Sequence, residues 1–218
     1  MFLLGYNLCD SQIVFEILCI HWWVKQFQGE WRPIVKVLET ERLILRSWRV
    51  EDLDDFYEYA SNENVGPHAG WEPHPSKETS LQILKYFMEK NEVWAIVLKG
   101  NHKVVGSIGA HCDEKRSGVN ATDIGYALAE NYWGKGLMPE ALQEVIRFLF
   151  EEKHLEVISC SHHPGNDRSK RVIEKCGFKY EGTIRCASKR FDGKMMDDVC
   201  YSILREEFCF QSSIPLIP

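Results

Sequence analysis

Apolar positions in this chain recur every three to four residues in some stretches, alternate in others and run together in a few, and each pattern predicts a different element. Ile13, Val14, Ile17, Leu18 and Ile20 to Val24 make a rough helical stripe over about 11–28, which Gly29 and Pro33 break. Leu43 and Leu45, flanked by Arg42 and Arg46, predict a first strand over about 41–47. A helix follows over Val50–Ala60, with Asp52, Asp54 and Asp55 near its positive end. Val65–Pro75 reads as a loop rich in Gly, Pro, His and Trp, and Ser76 as the N-cap of a helix reaching about Glu89. Val93–Leu98 and Lys103–His111 form a hairpin, Asp113–Asn120 a polar turn and Thr122–Leu128 another strand. Asn131–Met138 is a glycine-containing loop, and Pro139 suits the first turn of a helix to about Glu152. Val157–Ser161 is a short buried strand, and Asn166–Cys176 a helix closed by Gly177. Phe178–Arg185 and Asp198–Leu204 are the last strands, linked by a turn at Asp192–Gly193.

The resulting order is β-α-α-β-β-β-α-β-α-β-β. Helices separate some strands but not all, so the sheet is expected to be mixed, antiparallel early, with a parallel pair around the 139–152 crossover. The fold class is therefore mixed α/β.

Composition narrows the function. The 218 residues carry 44% apolar and 27% charged positions, which excludes a disordered or collagen-like chain. A net charge of −6 argues against a nucleic-acid partner. The uncharged stretches near the start, Met1–Cys9 and Ile17–Val24, fall short of the roughly 18–20 residues of a spanning helix, and no basic segment or cleavage site marks a secretory signal. A cytoplasmic protein without a membrane partner is the expectation. The 8 cysteines show no C-x-x-C pair and read as scattered reduced thiols. Cys160, His162 and His163 are close in sequence, but no second pair completes a zinc spacing, so no metal is expected.

The informative stretch is Asp123-Ile-Gly-Tyr-Ala-Leu-Ala-Glu-Asn-Tyr-Trp-Gly-Lys-Gly-Leu-Met-Pro-Glu-Ala. A strand feeds a short glycine loop that opens a helix. Free backbone N–H groups and the helix dipole make such a junction a cradle for phosphate or pyrophosphate, with Gly134 and Gly136 allowing close approach. The alternative is a tight strand–helix connection that needs glycine only for its turn. Gly-x4-Gly-Lys-[Ser/Thr] is absent and G-x-G-x-x-G is incomplete, so neither an ATP-binding P-loop nor a dinucleotide fingerprint is present.

This segment resembles the acetyl-CoA-binding loop of the GNAT N-acetyltransferases, most closely the ribosomal-protein N-terminal acetyltransferase (RimJ/RimL-like) branch. Three further stretches agree in order: Leu38-Glu-Thr-Glu-Arg-Leu-Ile-Leu-Arg, Val105-Gly-Ser-Ile-Gly, and Asn166-Asp-Arg-Ser-Lys-Arg-Val-Ile-Glu-Lys-Cys-Gly-Phe. The resemblance covers about 37–207 and implies a GNAT fold and direct attack of a primary amine on acetyl-CoA. The amine is a protein N-terminus or a small molecule, and a homodimer is compatible with it. The rival is an acyl-CoA-binding regulatory module without turnover.

The resemblance also implies site residues. Gly134, Lys135, Gly136, Leu137 and Met138 would supply the cradle, with Tyr126, Ala127 and Leu128 on the strand before it. The N–H near Ala127 or Leu128 would polarise the thioester carbonyl at a bulge. Trp133 and Met138 depart from the usual Gln/Arg and Gly/Ala, and Pro139 has no N–H to donate. Asp123 is the candidate base and His111 its competitor. Ile173 stands where many members carry a Tyr acid, so Ser169 takes that role. Asn166 contacts the pantetheine arm or caps the helix. Arg168, Lys170 and Arg171 meet the 3′-phosphate or are solvated charges. Gly66, His68, Trp71 and His74 belong to the acceptor wall. The Trp-rich residues 1–36 match no motif: they are an appended helix, or sequence read past the true start. Residues 208–218 form a tail.

Overall fold

The apolar run Val93–Leu98 is a strand buried on both faces, and this explains the architecture. In the computed structural model, which describes residues 35–212, its side chains alternate between two cores. Trp94 and Ile96 join one, and Val93, Ala95 and Val97 join the other.

The strands are β1 (Leu38–Glu39), β2 (Leu43–Arg46), β3 (Val93–Leu98), β4 (Val104–Cys112), β5 (Ala121–Leu128), β6 (Val157–His162), β7 (Lys179–Lys189) and β8 (Met195–Leu204). The α-helices are α1 (Leu53–Ala60), α2 (Gly66–Ala69), α3 (Lys77–Lys90), α4 (Leu137–Glu151), α5 (Asp167–Lys175) and α6 (Arg205–Ser212). They flank one eight-stranded sheet of order β1-β2-β3-β4-β5-β6-β8-β7. Its one parallel neighbour pair is β5–β6, joined through the α4 crossover as the pattern predicted.

On one face lies α4. Its apolar positions Leu137, Met138, Ala141, Leu142, Val145, Ile146 and Leu149 recur at helical spacing and are buried against β2–β6. On the other, α1 and α3 bring Phe56, Tyr59 and Leu84 onto the sheet. Leu142 is fully buried. Leu142→Ala is expected to lower unfolding stability by about 2–5 kcal/mol, read from the urea midpoint at unchanged m-value.

Several elements differ from the sequence pattern. The first strand is a small hairpin, because Thr40 N–H bonds the Leu43 carbonyl and turns the chain. A short helix, α2, interrupts the 65–75 loop, ended by Gly70 at φ 93°. Helix α4 begins at Leu137, with Pro139 as its third residue. A proline costs nothing there, because first-turn N–H groups have no intrahelical acceptor. Strands β7 and β8 are longer than expected, and helix α6 crosses the expected domain end at 207.

Helix α5 is fixed at both ends. Asn166 Oδ1 accepts from Ser169 N–H at 3.1 Å. At the other end Gly177 (φ 85°) and Phe178 donate back to the carbonyls of Glu174 and Ile173.

The chain separates into residues 1–32 and 33–218. The stripe expected over 11–28 lies outside the described residues. Contacts of the folded unit reach back to Val35, whose N–H donates to the Asn91 carbonyl, and to Lys36, whose carbonyl accepts from Trp94 Nε1. Among the described residues no helix is long and apolar enough to cross a membrane.

Candidate functional site

The β5–β6 pairing stops at Ile124–Cys160. Beyond it β5 stays with β4, while β6 stays with β8 through Ser161 and His162. The strands separate and leave a cleft of about 690 Å³, floored by β5, bounded by α4 and α5 and walled by α2. That volume suits a small-molecule or cofactor site.

The register determines what β5 offers to this cleft. Ala129 N–H donates to the Val105 carbonyl at 2.8 Å, and the β4–β5 pairing runs without interruption. Bonded and non-bonded pairs alternate in an antiparallel ladder. Gly125 and Ala127 therefore direct their backbone groups at β4, and Tyr126 and Leu128 direct theirs into the cleft. Of the two expected donors, Leu128 rather than Ala127 presents its N–H. The strand is not bulged there: the opening arises from loss of β6 as a neighbour.

At the end of β5 the chain turns through Glu130–Tyr132 into the glycine loop. Trp133 Nε1 donates to the Leu128 carbonyl at 2.7 Å and ties strand end to loop, which accounts for an indole at this position. Gly134 (φ 75°) and Gly136 (φ 76°) are left-handed, a conformation that side chains resist. Among the described residues, the N–H groups of Gly134, Lys135 and Gly136 make no hydrogen bond of good geometry. Those of Leu137 and Met138 open α4 and have no intrahelical acceptor. Met138, the departure from Gly/Ala, buries its side chain in the core. Five consecutive donors at a helix start fit a pyrophosphate. Arg168 stacks over Trp133 at 4.5 Å and lines the cleft with Arg171 and Lys175, cations suited to a polyanionic ligand. Lys170 faces Glu174 instead, 3.9 Å away.

Asp123 shares a face of β5 with Gly125 and Ala127, opposite the face of Tyr126. Its Oδ2 is 3.2 Å from Lys115 Nζ. Its Oδ1 is buried without a hydrogen-bond partner among the described residues. Burial pushes the Asp123 carboxyl above its ordinary range, and the Lys115 ammonium only partly pulls it back. His111 is the cross-strand partner of Asp123 and lies 3.5 Å from Glu92.

On the other face, Tyr126 Oη and Ser169 Oγ are 2.8 Å apart. Burial raises the Tyr126 phenol well above 10, so it stays protonated. Ile173, at the position where the resemblance places a tyrosine acid, is buried in the core.

The wall opposite α5 is α2 with Trp71. The Trp71 ring packs on Gly66, where a Cβ would meet Nε1 at 2.8 Å. Asn166 Nδ2 donates to the His68 carbonyl at 3.2 Å, and Glu130 accepts from the side chains of Asn62 and Asn64 at 3.0 Å. Asn166 thus caps α5 and also reaches the wall. His74 turns away from the cleft, onto Ser80 and Phe56. Among the described residues no group of three metal-binding side chains occurs.

The sequence marks Tyr126 and Ser169 but not their contact, and it carries no signal for Lys115. That lysine is carried by the 113–120 turn, which is anchored below: Asp113 accepts from Arg116 and Ser159 at 2.6 and 2.5 Å, and Arg116 continues to Glu181. Only long-range register brings these groups together.

The chain is similar in sequence and in fold to known proteins. Over 179 residues the chain is 27% identical to uncharacterized N-acetyltransferase p20 of Bacillus licheniformis, covering 80% of this chain and 99% of that one. It is 28% identical over 161 residues to the [ribosomal protein uS5]-alanine N-acetyltransferase of Escherichia coli, covering 66% and 79%. The structure of a GNAT-family acetyltransferase from Bacillus anthracis superposes with a TM-score of 0.71 at 27% identity, covering 78% and 99%. The acetyltransferase (GNAT) domain matches residues 42–179, a span from the β1–β2 turn through the cradle and α5 to the start of β7. With that match across the elements that build the cleft, the chain belongs to the GNAT acetyltransferase family and is an N-acetyltransferase.

Proposed function

We propose that this enzyme acetylates a primary amine by direct attack within the cleft, with a protein N-terminus as the leading acceptor and a small-molecule amine as the second. The opposed placement of the Asp123 carboxylate and the Ser169–Tyr126 hydroxyl pair, on the two faces of one strand, carries the reading. It supports separate routes for the proton leaving the amine and the proton needed by the leaving sulfur. Acetyl-CoA, the family's co-substrate, supplies the activated thioester.

Gly134, Lys135, Gly136, Leu137 and Met138 would hold its pyrophosphate through backbone N–H groups, with Arg168 and Arg171 beside its other phosphate. Leu128 N–H, aimed into the cleft, donates to negative charge that develops on an acyl oxygen. A protein N-terminal amine has a pKa of about 7.7–8.0, so removing its proton is a modest task for Asp123 acting directly or through water. Ser169 Oγ donates to a leaving sulfur, and the protonated Tyr126 phenol supports it by donating to Ser169. His111 and Trp71 line the acceptor side.

The uS5-alanine N-acetyltransferase relative favours a protein N-terminus. The cytoplasm is the proposed location, and residues 37–207 the catalytic domain. Free-thiol release measured across N-terminal peptides, polyamines and amino acids tests the acceptor class. Acetyl-CoA binding with no turnover on any amine would favour the regulatory-module reading. Ser169→Ala is expected to lower kcat by about tenfold or more and leave acetyl-CoA affinity within about twofold. An unchanged kcat removes Ser169 from the mechanism.

A further inference from the structure

The cradle contains an electrostatic conflict. Glu140 lies in the first turn of α4, where a carboxylate ordinarily complements the helix dipole. The same helix end would hold a ligand pyrophosphate, and two anions there would repel. The chain resolves the conflict on its far side. Glu140 Oε1 accepts from Thr40 Oγ1 at 2.5 Å and from Arg42 N–H at 2.9 Å. Its Oε2 accepts from Arg42 Nε at 2.6 Å and is ion-paired with Nη2, also 2.6 Å away. Both carboxylate oxygens are thereby engaged with the start of β2.

The same guanidinium does something further. Arg42 Nη1 donates to the Lys135 carbonyl at 3.0 Å. A trans peptide holds its C=O and the following N–H on opposite sides of the bond. Drawing the Lys135 carbonyl toward Arg42 therefore turns the Gly136 N–H the other way. The left-handed φ of Gly134 and Gly136, on either side of Lys135, lets the peptide take this orientation. Arg42 itself is set by the sheet, since its carbonyl accepts from Lys99 N–H at 2.9 Å.

We propose that Arg42 is the positioning residue of the anion cradle: one side chain neutralises Glu140 and orients the Lys135–Gly136 peptide for the cofactor's pyrophosphate. The proposal rests on the cradle reading above. Arg42 does not line the cleft; it acts through the loop.

The test is equilibrium binding of coenzyme A alone, followed by calorimetry, alongside the split between kcat and the KM for acetyl-CoA. Arg42→Ala is expected to weaken coenzyme A binding by about tenfold or more, the loss typical of hydrogen bonds to a charged group, with kcat at saturation within about threefold of wild type. Arg42→Lys keeps the charge but cannot fork onto both Glu140 and the Lys135 carbonyl, so it should remain at least about threefold weaker than wild type. It carries the test if Arg42→Ala does not fold. Adding Glu140→Gln to Arg42→Ala should restore part of the lost affinity, because the uncompensated carboxylate is gone. Binding within twofold of wild type for both Arg42 variants, or a fall in kcat at unchanged KM, overturns the proposal. Gly136→Val separates the two readings. If it abolishes coenzyme A binding while the Arg42 variants bind normally, the cradle stands and the role of Arg42 fails. If it too binds normally, the cradle reading fails.

Discussion

Asp123→Asn is expected to lower kcat by about a hundredfold or more, the span usual for removing a general base, with acetyl-CoA affinity held within about threefold. The amide keeps the shape of the carboxylate but cannot take a proton from the amine. The pH profile supplies an independent readout. A base acts in its ionised form, so kcat/KM rises with pH through the Asp123 pKa, which burial has raised above the ordinary carboxylate value. Lys115→Met removes the ammonium 3.2 Å away and should move that acidic limb to higher pH, whereas Asp123→Asn should abolish it. Stability moves in the opposite direction from activity. A carboxyl whose folded pKa exceeds its unfolded value makes the folded state less stable once ionised, fully so above the folded pKa. Asp123→Asn is therefore expected to raise Tm at neutral pH, with the gain shrinking as pH falls through the raised pKa. A kcat within threefold of wild type would transfer the base role away from Asp123, with His111 as the next residue to substitute.

Gly136→Val is the second large effect. At φ 76° a β-branched residue is a genuine outlier, costing about 1–3 kcal/mol if the loop keeps its shape. The loop is expected to relax instead, turning away the N–H groups that open α4. Coenzyme A binding should then weaken by about a hundredfold, while the melting curve keeps its cooperativity, because Gly136 lies outside both cores. Gly136→Ala should fall between wild type and Gly136→Val. Coenzyme A affinity unaltered by Gly136→Val would show that the anion sits elsewhere in the cleft.

The parts of this molecule that were legible in the sequence are those governed by neighbours in the chain. The loop from Trp133 to Met138 is a local motif, and Asn166 caps α5 because the acceptor and the Ser169 N–H are three residues apart. Strand β3 was read to the residue, since an uninterrupted apolar run leaves little choice. Strands β7 and β8 were read too short, because β7 is exposed along nearly its whole length and its pairing slips between Ile184 and Ser188 around a left-handed Cys186, so no alternation survives. The pairing of Tyr126 with Ser169, the approach of Lys115 to Asp123 and the reach of Arg42 to Lys135 join residues 43, 8 and 93 positions apart. They depend on register and loop path, which side-chain periodicity does not encode. The choice of Leu128 over Ala127 is of the same kind: it follows from which cross-strand pairs are bonded.

The parting of β5 from β6 has a further consequence. Every open strand edge invites another chain to add itself, and proteins ordinarily blunt such edges. Here the exposed half of β5, Gly125–Leu128, is an edge enclosed within the sheet, with β4 on one side and the cleft on the other. A foreign strand seeking to extend the sheet meets β1 or β7 first. A slender ligand carrying amide groups would meet there the main-chain groups of Tyr126 and the N–H of Leu128, the Leu128 carbonyl being held by Trp133. The defect that would make a sheet prone to aggregate at its rim is, at its centre, sheltered from other sheets by the strands on either side.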